Sequence, residues 1–277
     1  MRTLVHISIS WFYAFISSLQ FLTRLPIPIN IPYERKIIQR SVVYYPIAGL
    51  IIGLFLLILS KYLPHVLPAA PAAVFICIFW IISSGGLHMD GLMDTADGIL
   101  SYRSKDKMLE IMKDSRVGAM GVIVFVCSLF FKTALLFSLL DSDPQTALLT
   151  YLIFIPIWSR LMMVWAARLY PYARQEKGFG TEVSRIPFSY AVLATGNALM
   201  SSLFMYGLLI KDVSWSEDFI IMLFLFLISG ITMWGIAHVL NRKLGGLTGD
   251  TYGAINELVE IVLLMSLVIY GHAFMNG

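Results

Sequence analysis

The sequence predicts an all-α, polytopic membrane protein: a bundle of about seven transmembrane helices, preceded by an N-terminal helix that is amphipathic or membrane-embedded. Composition, span count and charge placement predict it. The 277-residue chain is 58% hydrophobic and only 13% charged, with a mean hydropathy of +0.79, values that suit lipid better than water as solvent. About 20 apolar residues cross the hydrocarbon core, and stretches near 42–60, 66–84, 119–140, 146–167, 188–210, 219–240 and 255–275 reach that length. Formal charge enters them only at Lys132, Arg160, Glu257 and Glu260. Basic residues collect in alternate loops, 23–41, 85–118, 168–187 and 241–254, while the intervening loops carry only Lys61 and Lys211. The positive-inside rule then puts the basic loops in the cytoplasm and the C-terminus outside.

The first 22 residues interrupt their apolar pattern with His6, Ser8, Ser10, Ser17, Ser18 and Gln20, which suits an interfacial helix better than a span. No small-x-small cleavage site follows them, so a signal peptide is not expected. Cys77 and Cys127 both fall inside spans and read as small buried hydrophobes. Without an internal repeat or linker, residues 1–277 read as a single integral-membrane domain. The net charge of +3 and the lack of any nucleic-acid motif leave lipid, and not nucleic acid, as the expected surroundings.

Three polar segments break the apolar background. In GGLHMDGLMDTADG, residues 85–98, a continued second helix would carry Asp90, Asp94 and Asp97 at i, i+4 and i+7, on one face. Three like charges so placed repel one another, more so beside a bilayer. A divalent cation removes that conflict, and an all-oxygen ligand set suits Mg²⁺ or Mn²⁺ completed by water and phosphate. His88 is a candidate general base or supporting partner. The adjoining glycines leave room for a ligand or for close helix packing.

The second segment, GGLTGDTYGAINELVE at 245–260, opens the last span with Asp250 and Glu257 seven residues apart. Carboxylates at that depth mark polar interiors, although Asp250 also reads as a helix N-cap. The third, KDSRVGAMG at 113–121, offers Asp114 and Ser115 as caps. Arg116 beside a helix N-terminus makes a candidate phosphate site. Arg160, inside a span, needs a carboxylate or an anionic substrate as partner, whereas Lys132 reads as structural or snorkelling. Together the residues describe a metal-dependent enzyme handling phosphate at a cytoplasmic membrane face.

FLTRLPIP (21–28), YYPIAGLIIG (44–53), the aspartate segment, KDSRVGAMG, IPIWSRLMM (155–163) and LTGDTYGAINELVE (247–260) occur in order along nearly the whole chain. In this the sequence resembles the cobalamin synthase, or adenosylcobinamide-GDP ribazoletransferase, family. The resemblance implies a Mg²⁺-dependent inner-membrane enzyme of bacteria or archaea with its active site toward the cytoplasm. Its substrates would be adenosylcobinamide-GDP and α-ribazole or α-ribazole 5′-phosphate, its by-product GMP. It assigns His88, Asp90, Asp94 and Asp97 to the active centre, with Asp250 and Glu257 joining the three aspartates around the metal. Arg24, Asp114, Arg116 and Arg160 are assigned to substrate. It leaves open a homo-oligomer or association with other cobalamin-assembly enzymes. Lys113 departs from the pattern, since glycine is expected before Asp-Ser-Arg.

Two other classes share parts of this pattern. A CDP-alcohol phosphatidyltransferase also uses helical aspartates and Mg²⁺, but would place Ala-Arg after the first Asp-Gly, where this chain has Leu92 and Met93. An ion-coupled transporter could use Glu257, Glu260, Lys132 and Arg160 as membrane relays, and would carry inverted repeats.

Overall fold

A computed structural model describes residues 2–141, 147–174, 178–209 and 215–274. Lys177 and Lys211 of the loop count, and the expected span ends at 146, 210 and 275, lie outside the described residues. Twelve α-helices follow in order: α1 Arg2–Leu22, α2 Arg35–Ser41, α3 Tyr45–Tyr62, α4 Ala69–Ser83, α5 Leu87–Ile99, α6 Lys105–Ile111, α7 Ala119–Asp141, α8 Phe154–Leu169, α9 Phe179–Val183, α10 Phe188–Leu209, α11 Trp215–Leu244 and α12 Gly249–Phe274. No strand occurs among the described residues; Tyr172 and Leu247 make one isolated bridge.

Among the described residues, six helical segments are long and apolar enough to cross a membrane, and a seventh is reached only if the bent pair α4 and α5 is counted as one. The second span therefore does not continue into the aspartate segment as one helix. Gly85 and Gly86 adopt φ of 67° and 74°, a left-handed pair that L side chains rarely tolerate. Their N–H groups close onto the carbonyls of Ile82 and Ile81, and α5 leaves at 86° to α4. At about 1.5 Å per residue, α4 is only ~22 Å long. The N-terminal helix α1 is not among the six segments and packs along α2 and α3.

Most of the core surrounds α8, whose span is 94% buried, against 28% for each of α7, α10 and α11. Close approach of α3 makes this possible, since a Cβ on Gly49 or Gly53 would overlap the carbonyls of Pro156 and Ile153, a small-x-x-x-small contact. Exposed large hydrophobics such as Phe130, Phe204 and Ile231 lie on these outer helices, as lipid-facing surface requires. Cys77 is buried but Cys127 is exposed, so only the first is a core residue.

The four basic loops meet at one end of the bundle. Arg35 pairs with Glu182 at 3.0 Å, Arg24 reaches the carbonyl of Gly85 at 3.5 Å, Arg174 pairs with Asp250 at 2.7 Å, and the Lys243 ammonium lies 5.4 Å from the Tyr102 ring centroid. Loops separated by one pair of spans therefore share a face, as the charge alternation requires.

Candidate active site

At the basic end, α5 lies against the first turn of α12. The contact is tight because it is glycine on backbone: a Cβ on Gly91 would come within 2.6 Å of the Asp250 carbonyl, and one on Gly253 within 3.1 Å of His88. This brings together two acidic segments separated by about 150 residues of chain. Asp250 is free to take part because it is not the cap. Thr248 fills that role, accepting the Thr251 N–H at 3.3 Å while the Thr251 hydroxyl accepts the Thr248 N–H at 2.7 Å, the reciprocal arrangement of a capping box. The Asp250 carboxylate accepts instead from Arg174.

Asp90 is exposed, while Asp94 and Asp97 are half-buried. Burial first, then the negative charges of Asp90, Asp250 and Asp97, push the Asp94 carboxyl up to about 7, with Arg174 pulling the other way. Such crowding of oxygen donors fits a divalent cation. The fit is to one held by few carboxylates, as Mg²⁺ prefers with water and phosphate completing its shell. Among the described residues no group of three or more His, Cys, Asp or Glu side chains is close enough to hold a metal by itself.

Asp97 has another occupation. Its two oxygens accept the N–H groups of Gly118 and Gly121 at 2.8 Å each, so it caps α7 from a neighbouring helix. That capping places a carboxylate at the helix N-terminus beside which Arg116 was expected to bind phosphate. Arg116 turns to Asp114 at 2.6 Å, and its side chain is 87% exposed. Asp114 and Ser115 lie outside the helix they were expected to cap.

Glu257 and Arg160, expected at the metal and the substrate, have ion-pair partners inside the bundle. Lys132 reaches Glu257 at 3.0 Å and Glu260 at 2.6 Å, Arg160 pairs with Glu260, and all four side chains are at most 3% exposed. Lys132 does not snorkel: it is fully buried, 4.0 Å from the Trp80 ring centroid. Burial disfavours charge, and each group is held by opposite charge instead of by substrate. The charges proposed for a transport relay thus cancel within one cluster.

His88 is 1% exposed and neither ring nitrogen has a partner. Burial, together with the cation of Arg160, pushes its imidazole down to about 3, against the pull of Glu260, so the ring is neutral. It lines a partly open cavity of about 340 Å³, the more enclosed of two at this end, together with Asp90, Asp250, Arg174 and Tyr252. A second, open cavity of about 420 Å³ has Arg24, Gly85 and Gly86 in its wall and also contains Asp90. Arg174 and Tyr252 were not among the expected site residues. Arg174 carried no local signal beyond loop charge, but Tyr252 sits within the quoted LTGDTYG.

Comparison with known proteins gives a consistent picture. Residues 14–268 match the family model described as cobalamin-5-phosphate synthase. An adenosylcobinamide-GDP ribazoletransferase of Desulfitobacterium hafniense is 38% identical over 251 residues, covering 90% of this chain and 93% of the relative. Its namesake in Fusobacterium nucleatum is 34% identical over 270 residues, covering 92% and 96%. A third, from Desulforamulus reducens, is 37% identical over 253 residues, covering 91% and 94%. No solved structure matches the chain.

Proposed function

Because the chain belongs to the cobalamin-5-phosphate synthase family, we propose that it joins adenosylcobinamide-GDP to α-ribazole or α-ribazole 5′-phosphate, giving adenosylcobalamin or its 5′-phosphate plus GMP. The observation that carries the reading is the meeting of α5 and α12 through Gly91 and Gly253, which gathers Asp90, Asp94 and Asp250 and leaves Asp90 in the walls of two cavities. Two cavities sharing one carboxylate suit a reaction between two substrates. The names borne by the relatives supply the substrates.

In this reaction a ribazole hydroxyl oxygen bonds to the phosphorus next to cobinamide. The bond from that phosphorus to the bridging oxygen breaks, GMP leaves with that oxygen, and the hydroxyl proton is released. Arg24 lies beside Asp90 in the open cavity and holds diphosphate oxygens there. Mg²⁺, when held by one or two of the carboxylates Asp90, Asp94 and Asp250, with water and phosphate completing its shell, would neutralise diphosphate charge. Arg174 fixes the Asp250 carboxylate. His88, neutral and unpartnered, accepts a hydrogen bond from the attacking hydroxyl and orients its lone pair toward phosphorus. Its burial makes it a positioning acceptor more than a strong base, and the proton leaves to solvent past Asp90. The basic loops gathered at this end support a cytoplasmic orientation in the inner membrane.

The test uses the purified full-length protein in detergent with Mg²⁺, adenosylcobinamide-GDP and α-ribazole. Adenosylcobalamin and GMP should form in equal amounts, stop on addition of EDTA, and resume with excess Mg²⁺. Consumption of CDP-diacylglycerol with no reaction of the corrinoid would overturn the function. Turnover persisting in EDTA would overturn the metal assignment alone.

A further inference from the structure

The two cavities lie on different faces of α5. His88 and Gly91 line the more enclosed one, Gly86, Met89 and Met93 the open one, and Leu87 and Asp90 line both. Their chemistry differs. The open cavity presents Arg24 and the Gly85–Gly86 turn to a diphosphate and leaves a bulky substituent free to extend outward. The more enclosed one, at about 340 Å³, is near the lower end of the roughly 300–1,000 Å³ usual for small-molecule sites, a size that suits a nucleoside better than a corrin macrocycle.

Its walls are largely apolar and aromatic, with Phe21 and Phe179 packed at 4.2 Å between ring centroids and Met163 and Tyr45 beside them. Among its lining residues are buried polar atoms without partners: both ring nitrogens of His88, 1% exposed, and the hydroxyl of Tyr252, 4% exposed. Buried polar groups are nearly always satisfied, and a ligand with hydroxyl groups would satisfy these. A flat heterocycle fits the aromatic wall and a ribose fits the polar side.

We propose that the more enclosed cavity is the ribazole subsite, with the Tyr252 hydroxyl and the His88 imidazole as contacts to its ribose and the Phe21–Phe179 wall as the seat of its base. The assignment rests on the ribazoletransferase reading and extends it: the nucleophile enters from one face of α5 and the nucleotide diphosphate from the other, with Asp90 between. An in-line displacement sets the attacking and leaving oxygens on opposite sides of the phosphorus, and Asp90, in the wall of both cavities, lies where the two substrates would meet. Tyr252 is the specificity-determining residue in this arrangement.

The test compares full-length wild type with Tyr252→Phe and Phe179→Ala, all in detergent and checked for folding by thermal unfolding. Binding of α-ribazole is measured by titration calorimetry, and KM is measured for each substrate. Loss of one buried hydrogen bond should weaken α-ribazole binding about tenfold in Tyr252→Phe, and removal of the ring should weaken it several-fold in Phe179→Ala. KM for adenosylcobinamide-GDP should stay within about twofold. A wild type that forms no GMP from the two substrates overturns the ribazoletransferase reading and the subsite with it. A wild type that turns over while both folded variants bind α-ribazole normally, or a rise confined to the KM of adenosylcobinamide-GDP, overturns the subsite alone.

Discussion

Replacing Lys132 by methionine keeps the length of the side chain and removes its charge from the middle of the bundle. Glu257 then loses its ammonium partner at 3.0 Å, whereas Glu260 keeps Arg160, the Asn256 amide at 3.2 Å and the Ser159 hydroxyl at 3.3 Å. The intact cluster holds two cations, Lys132 and Arg160, against two anions, Glu257 and Glu260, and the variant is left with one uncompensated buried anion. Breaking a buried pair at one partner costs about 3–5 kcal/mol, a large part of the ~5–15 kcal/mol that holds a domain together.

The double variant Lys132→Met with Glu257→Gln removes both members, leaving the Arg160–Glu260 pair and a neutral surrounding. It should regain most of the loss. A remainder of about 1 kcal/mol is expected, because the ammonium over the Trp80 ring is still missing. Denaturant unfolding of the purified proteins in one fixed detergent, followed by tryptophan fluorescence, supplies the four corners of the cycle. A single variant within about 1 kcal/mol of wild type, or a double variant no more stable than the single, would refute the idea that these charges stabilise the bundle as a neutral unit.

Two further outcomes follow from the site. Asp94→Asn should abolish turnover in a folded protein, and Asp106→Asn, exposed on α6 away from the carboxylate face, should not; steady-state assays of GMP release compare them, and equal loss at both would remove the metal role from Asp94. Gly91→Ala should separate α5 from α12, since its Cβ would lie 2.6 Å from the Asp250 carbonyl. Overpacking of this kind costs about 1–3 kcal/mol and should lower kcat well beyond what the stability loss explains. Activity within about twofold of wild type would mean that the close contact is not what aligns the carboxylates.

The spans were legible because hydropathy over 20 residues is a strong signal, and the loops because lysine and arginine alternate sides. The break between α4 and α5 was visible only as Gly85–Gly86, which in sequence serves equally for a turn, for packing or for ligand room. The aspartate stripe was legible as a stripe but not as a division of labour. A helix face at i, i+4 and i+7 is broad enough to touch α12 at one end and α7 at the other, so Asp97 went to capping while Asp90 and Asp94 stayed with Asp250. Thr248 and Thr251 bracket Asp250 closely enough that the cap could be assigned to the wrong member. Arg174 offered no pattern at all, since its importance comes from the fold bringing residues 174 and 250 together.

The buried charges show a different limit and connect the membrane core to the site. Hydrocarbon makes each of Lys132, Arg160, Glu257 and Glu260 costly alone, so the sequence states that partners exist, yet the pairing spans 100 residues or more and only the packing of α7, α8 and α12 selects it. Asp250 and Glu257 belong to one helix, seven residues and therefore about 10 Å apart along its axis. Ion pairs that fix the depth and rotation of α12 at Glu257 and Glu260 thereby fix the height at which Asp250 meets α5. The cluster holds no substrate in this arrangement, but it sets the register between the two acidic segments. A charge deep in the membrane thus bears on a reaction at its surface through the rigidity of a single helix, and its sequence signal lies as close to the active-site motif as its chemistry lies apart from it.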